Sequence, residues 1–148
     1  MSYHVKVNFY NQNKCLQSGL FYQSPEYTMI KRILIIEDDP GILELLYLIF
    51  EAEGYAVEGF LNGKSAAEII LLRPHMIILD IKIVGSVQTG DQICADLKAT
   101  TPLYTTPVLL LSAEPDLPEL SAACFSDSFM AKPFDLDKLL NRVAELTG

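Results

Sequence analysis

Cysteine is scarce and scattered in this chain. Cys15, Cys94 and Cys124 are the only three, they form no CxxC pair, and their number is odd. That argues against a disulfide framework or a thiolate metal site and implies a reduced, cytosolic setting. Histidine is scarcer still. His4 and His75 stand far apart, with no cysteine or HExxH context, so neither reads as a metal ligand; His75 more simply opens a strand. Basic charge is also short. Eleven Lys and Arg against 19 Asp and Glu leave a net charge of −8, which argues against a surface for nucleic acid or an anionic membrane. No apolar run reaches the roughly 20 residues a membrane helix needs: acidic residues cut off "YLIF" and "HMIIL". The first residues, "MSYHVKVNFYNQNK", lack the basic start and apolar core of a signal peptide.

What is present is globular. Half of the 148 residues are apolar, and the length suits one domain with a real core. From residue 32 onward, apolar runs alternate with amphipathic ones. "RILII" (32–36) is a continuous β-branched and Leu run, as in a strand buried on both faces. Asp39 and Pro40 then open a helix, with Asp as cap and Pro in the first turn. Ile42, Leu45, Leu46 and Ile49 follow at helical spacing, and Gly54 closes the helix. "YAVEGF" (55–60) reads as a strand, "KSAAEIILL" (64–72) as a helix and "MIIL" (76–79) as a strand. A Gly-containing loop over 81–89 leads to a helix over 90–99. "PVLLL" (107–111) and the weaker "DSFMA" (127–131) are further strands, and "DLDKLLNRVAEL" (135–146) is a closing helix. Between them, Pro115 and Pro118 leave room for only a short helix near 118–123.

This βα alternation implies a parallel sheet with helices on both faces and right-handed crossovers. Five strands suggest a doubly wound α/β fold of flavodoxin-like order 2-1-3-4-5. Ligand sites in such sheets lie beyond the carboxyl ends of the strands, at the switch point between strands 1 and 3. Strand 1 ends in Glu37, Asp38 and Asp39, strand 3 in Asp80, strand 4 in Ser112 and strand 5 in Lys132. Converging carboxylates suit a hard divalent cation, most naturally Mg²⁺. Mg²⁺ suits phosphoryl chemistry. Lysine and serine are partners for a phosphoryl group, and an aspartate can be its nucleophile.

Four motifs, "ILIIEDDP", "MIILDIK", "PVLLLSA" and "FMAKPF", occur in that order. On these, the chain from about Ile30 to Thr147 resembles the receiver domain of two-component response regulators. The resemblance implies that Asp80 accepts the phosphoryl group. Asp38 would ligate Mg²⁺ directly, and Glu37 directly or through water. Asp39 falls outside that pair and reads as the helix cap. Lys82 would offer its backbone carbonyl to the metal. Ser112 would bond the phosphoryl group, Ala113 would keep the mouth small, and Lys132 would precede a cis proline. Phe129 stands at the switch aromatic, and Lys82 and Glu114 flank the path of hydrolytic water. Taken singly, Asp80 could be an ordinary strand end, Lys132 a solvated lysine, Ser112 a helix cap and Phe129 plain core. Two departures stand out: Val84 where the family usually has proline, and Gly90 about two residues late.

The implied function is a single-domain response regulator, because the sequence ends after the fifth helix. It would take its phosphoryl group from a histidine kinase or histidine phosphotransfer protein. Its signal would be phosphorylation-dependent binding of a downstream protein, or onward relay. Expected are a cytoplasmic location, no direct DNA binding and no membrane. The only catalysis expected is its own phosphorylation and slow dephosphorylation. A degenerate receiver acting as a constitutive interaction module is the alternative; intact Asp38, Asp80, Ser112 and Lys132 speak against it. A haloacid-dehalogenase-like phosphatase would need a second Asp where Lys82 stands. Residues 1–28 lie outside the receiver (29–148). They hold six of the 14 aromatics and read as an unstructured or mis-assigned extension, a packing arm, or a partner-binding arm.

Overall fold

A computed structural model describes residues 29–100 and 104–148. The reading of 1–28 falls outside the described residues. The chain forms β1 (Arg32–Ile36), α1 (Pro40–Ala52), β2 (Ala56–Phe60), α2 (Ala66–Leu72) and β3 (Met76–Leu79). It continues through α3 (Gly90–Thr100), β4 (Val108–Ser112), α4 (Leu117–Cys124), β5 (Ser128–Ala131) and α5 (Leu136–Thr147). The sheet order is β2-β1-β3-β4-β5, and every pairing is parallel. This is the flavodoxin-like order expected from the alternation.

Pleat alternation divides the core in two. Ile33, Ile35, Ile78, Leu109 and Leu111 face α1 and α5, where they meet Leu46, Phe50, Leu139 and Val143. Leu34, Ile36, Ile77, Leu79 and Leu110 face the other way, against Ile69, Ile93, Leu97 and Leu117. Both faces of the central strands are therefore dry, which is why those strands read as unbroken apolar runs.

Local signals place most boundaries. The Asp39 carboxylate accepts from the backbone N–H groups of Gly41 and Ile42 at 2.8 and 3.0 Å, so it caps α1 as expected. Ser65 and Glu68 form a reciprocal capping box on α2, which starts that helix later than the expected residue 64. Ser112 is the last residue of β4 rather than the residue after it. The Pro118 segment forms a helix slightly longer than expected, with the proline accommodated in its first turn.

One face was misread. The buried residues of α1 are Leu43, Leu46 and Phe50, whereas Leu45 is exposed. The helix is apolar nearly all round, so hydrophobic spacing alone could not fix its phase.

Candidate functional site

At the carboxyl edge of the sheet, Glu37 follows β1 and Asp80 follows β3. Their backbones are fixed by extensions of the ladder: Glu37 N–H donates to the Phe60 carbonyl at 3.0 Å, and Asp80 N–H to the Ile36 carbonyl at 2.9 Å. Lys132 arrives from the far side of the sheet. Its N–H donates to the Ser112 carbonyl at 2.9 Å, immediately before a cis Lys132–Pro133 bond. The Lys132 ammonium donates to Glu37 Oε2 at 2.6 Å and to Asp80 Oδ2 at 2.7 Å. All three side chains are largely out of water.

Such burial is tolerable only because the charges are paired. Burial raises the Glu37 carboxyl above its ordinary pKa; hydrogen bonds from Lys132 and the Asp39 N–H pull it back only in part. Burial also works against the Lys132 ammonium. There the hydrogen bonds and charges of Asp80 and Glu37 win, and its pKa is raised.

Asp38 completes the acidic cluster. Carboxylate oxygens of Glu37, Asp38 and Asp80 lie within 4.8 Å of one another. Three hard oxygen donors, with the Lys132 ammonium in direct contact with two of them, form a donor set that fits Mg²⁺. Asp38 Oδ2 also accepts from the Val84 N–H at 3.0 Å. Sequence reasoning missed this contact, because it depends on a backbone group in an irregular loop.

The late Gly90 nonetheless packs directly against the Asp80 backbone. A Cβ there would lie 1.9 Å from the Asp80 carbonyl oxygen, and Gly90 N–H donates to the Ile81 carbonyl at 2.8 Å. Ahead of it the loop makes a turn closed by Ser86 N–H to the Ile83 carbonyl at 3.1 Å.

Ser112 is buried, with its hydroxyl oxygen 3.4 Å from the Glu114 N–H; Ala113 beside it is exposed. Lys82 and Glu114 meet at 3.0 Å, and the hydrogen bond and charge of Glu114 raise the Lys82 pKa. Phe129 is 44% exposed on β5, so it is not the core residue its bland reading would make it.

Cys94 and Cys124 are free and buried. Burial, then its neighbour Cys124, pushes the Cys94 thiol well above its usual range, which leaves it unreactive. Among the described residues, no helix is long and apolar enough to cross a membrane.

Comparison with known proteins identifies the family. The family model of the response regulator receiver domain matches residues 33–144. The chain is 34% identical over 118 residues to the DNA-binding dual master transcriptional regulator RpaA of Synechocystis, covering 78% of this chain and 48% of that protein. It is 32% identical over 116 residues to sporulation initiation phosphotransferase F of Bacillus subtilis, covering 78% and 92%. Among solved structures, the response regulator TrrA of Thermotoga maritima, in complex with Mg²⁺-BeF, superposes with a TM-score of 0.68 at 28% identity, covering 79% and 99%. The chain spans about half the length of the DNA-binding regulators it matches. With the motifs, the sheet order and the family match in agreement, the chain belongs to the response regulator receiver domain family.

Proposed function

We propose that this receiver accepts a phosphoryl group on Asp80 from a phosphohistidine of a histidine kinase or phosphotransfer protein. It would work in the cytoplasm and pass its signal to a downstream protein. The observation that carries this reading is the placement of Asp80: buried at the switch point, 2.7 Å from Lys132, and beside two further carboxylates. An Asp80 oxygen attacks phosphorus, the P–N bond breaks, and imidazole leaves. The product is an acyl phosphate. Lys132, 2.7 Å from that carboxylate, stands within reach of the incoming oxygens.

Glu37, Asp38, Asp80 and the Lys82 carbonyl would hold Mg²⁺, which when bound neutralises charge on the transferring oxygens. Ser112 would move to the phosphoryl group, and Phe129 would turn inward behind it. Phe129 has no hydroxyl, so burial alone would favour its inward state. Lys82 and Glu114 would set the lifetime of the phosphorylated form.

A groove lined by Pro40, Leu43, Glu44, Tyr47 and Leu61 opens along α1, where Leu45 and Leu48 are exposed. Such a surface suits a protein partner better than nucleic acid, as does the charge of −8.

Acetyl phosphate with Mg²⁺ should add one phosphoryl group, read by intact mass. Asp80→Asn should abolish the addition, since an amide is no nucleophile for phosphorus. Equal labelling of the variant would place the acceptor elsewhere.

A further inference from the structure

Where the family motif usually has proline, this chain has Val84, and the exchange supplies a backbone N–H. That N–H donates to Asp38 Oδ2 at 3.0 Å. Proline has no such donor.

The surrounding turn explains how the donor is aimed. Ile83 and Ser86 close a four-residue turn with Gly85 at φ 77° in its third position, the conformation a type II turn requires there. Val84 occupies the second position and is 79% exposed. The side chain is therefore not what holds the turn in place.

The turn lies close against the β2–α2 connection. A Cβ on Gly63 would lie 1.9 Å from Ser86 Oγ and 2.9 Å from Ser86 Cβ. The hydroxyl could rotate away, but the Cβ could not, so Ser86 sits this close only because residue 63 is glycine. Gly63 is not among the glycines with positive φ. An alanine there would meet the steric contact without added backbone strain.

We infer that Gly63, Ser86 and Val84 form a positioning unit for Asp38: the glycine admits Ser86, Ser86 seats the turn, and the Val84 N–H fixes the carboxylate. This rests on the reading of the acidic cluster as a Mg²⁺ site. A hydrogen-bonded ligand is pre-oriented for its ion, and losing such a partner commonly costs tenfold or more in affinity. Val84, a departure from the family pattern, thus contributes to the proposed metal site without being a ligand itself.

The test uses the whole chain and four proteins: wild type, Val84→Pro, Gly63→Ala and the double variant. Proline suits the second position of this turn, so Val84→Pro removes the donor while keeping the turn. Mg²⁺ affinity is read from amide shifts during titration, with no phosphodonor present. Val84→Pro and Gly63→Ala should each weaken Mg²⁺ about tenfold, and the double variant should be no weaker than Val84→Pro alone. Without metal, Gly63→Ala should already move the Val84 amide and the Asp38 carboxyl carbon resonance. A Val84→Pro protein that binds Mg²⁺ as tightly as wild type overturns the inference. So does a Gly63→Ala loss that persists undiminished in the Val84→Pro background, or metal-free resonances that do not move. Failure of wild type to titrate at all is a separate result: it sinks the Mg²⁺ reading of the cluster, and this inference with it.

Discussion

Two lysines meet carboxylates at the same edge of the sheet, at similar distances and in very different surroundings. Lys132 touches Glu37 and Asp80 at 2.6 and 2.7 Å, with side-chain exposures of 14%, 2% and 9%. Lys82 touches Glu114 at 3.0 Å, but Lys82 is 77% exposed. Distance alone would rank them together. Water separates them: in the first group each charge depends on the others to be there at all, whereas in the second each could be solvated separately. The buried group is therefore expected to matter for folding and charge balance, and the exposed pair for events at the mouth of the site.

Breaking the buried group should give the largest effect. Lys132→Met strands two carboxylates that lost their water on folding. Loss of one partner from a buried pair costs about 3 kcal/mol or more. Urea denaturation in Mg²⁺-free buffer should show a destabilisation of that order. An unchanged midpoint would mean that water already reaches Glu37 and Asp80.

Glu37→Gln sharpens the contrast from the acidic side, with a smaller effect whose sign depends on pH. Burial raises the Glu37 pKa above its ordinary 4.5, so the folded state holds the proton more tightly than the unfolded chain does. The stability linked to that proton is fully present below the ordinary value and is lost as pH rises through the higher folded one. In Mg²⁺-free buffer, wild type should therefore lose stability relative to Glu37→Gln between acid and neutral pH. A difference independent of pH would show that Glu37 does not titrate within the folding transition.

The same division between buried and exposed governed what was legible in the sequence. β1, β3 and β4 could be read because both of their faces are dry and their apolar runs are unbroken. Residues at the strand ends were also readable as candidates, because the topology carries Glu37, Asp80, Ser112 and Lys132 to one edge whatever their rotamers. The phase of α1 was not readable, since Leu45 and Leu48 are as apolar as the buried Leu43 and Leu46. Nor could spacing show that the Lys132 ammonium bonds both Glu37 and Asp80, or that the Val84 N–H reaches Asp38. Those contacts depend on loop conformation, for which a valine in place of proline was the only visible hint.

The smallest expected effect on folding comes from Lys82→Ala. Lys82 lies almost wholly in water, so the charge pair it forms with Glu114 adds little to stability. Urea midpoints of wild type and variant should coincide. Kinetics should not. Water hydrolyses an acyl phosphate by approaching in line, opposite the Asp80 oxygen. Lys82 is two residues after Asp80 and Glu114 two after Ser112, so with Asp80 as the proposed acceptor their ion pair would span the approach. Two long side chains held together obstruct water. The paired ammonium offers no base, because Glu114 raises its pKa further. Lys82 could also leave Glu114 and bond the phosphoryl oxygens, which would slow hydrolysis in the same direction. Lys82→Ala removes both obstacles and should speed the decay of phosphorylated protein after the donor is removed, at fixed Mg²⁺. Glu114→Gln separates the two routes. It frees Lys82 for the phosphoryl group, so decay slows if direct bonding dominates and quickens if the bridge itself is the shield. Unchanged decay in both variants would mean that the pair stands aside from the path of the water.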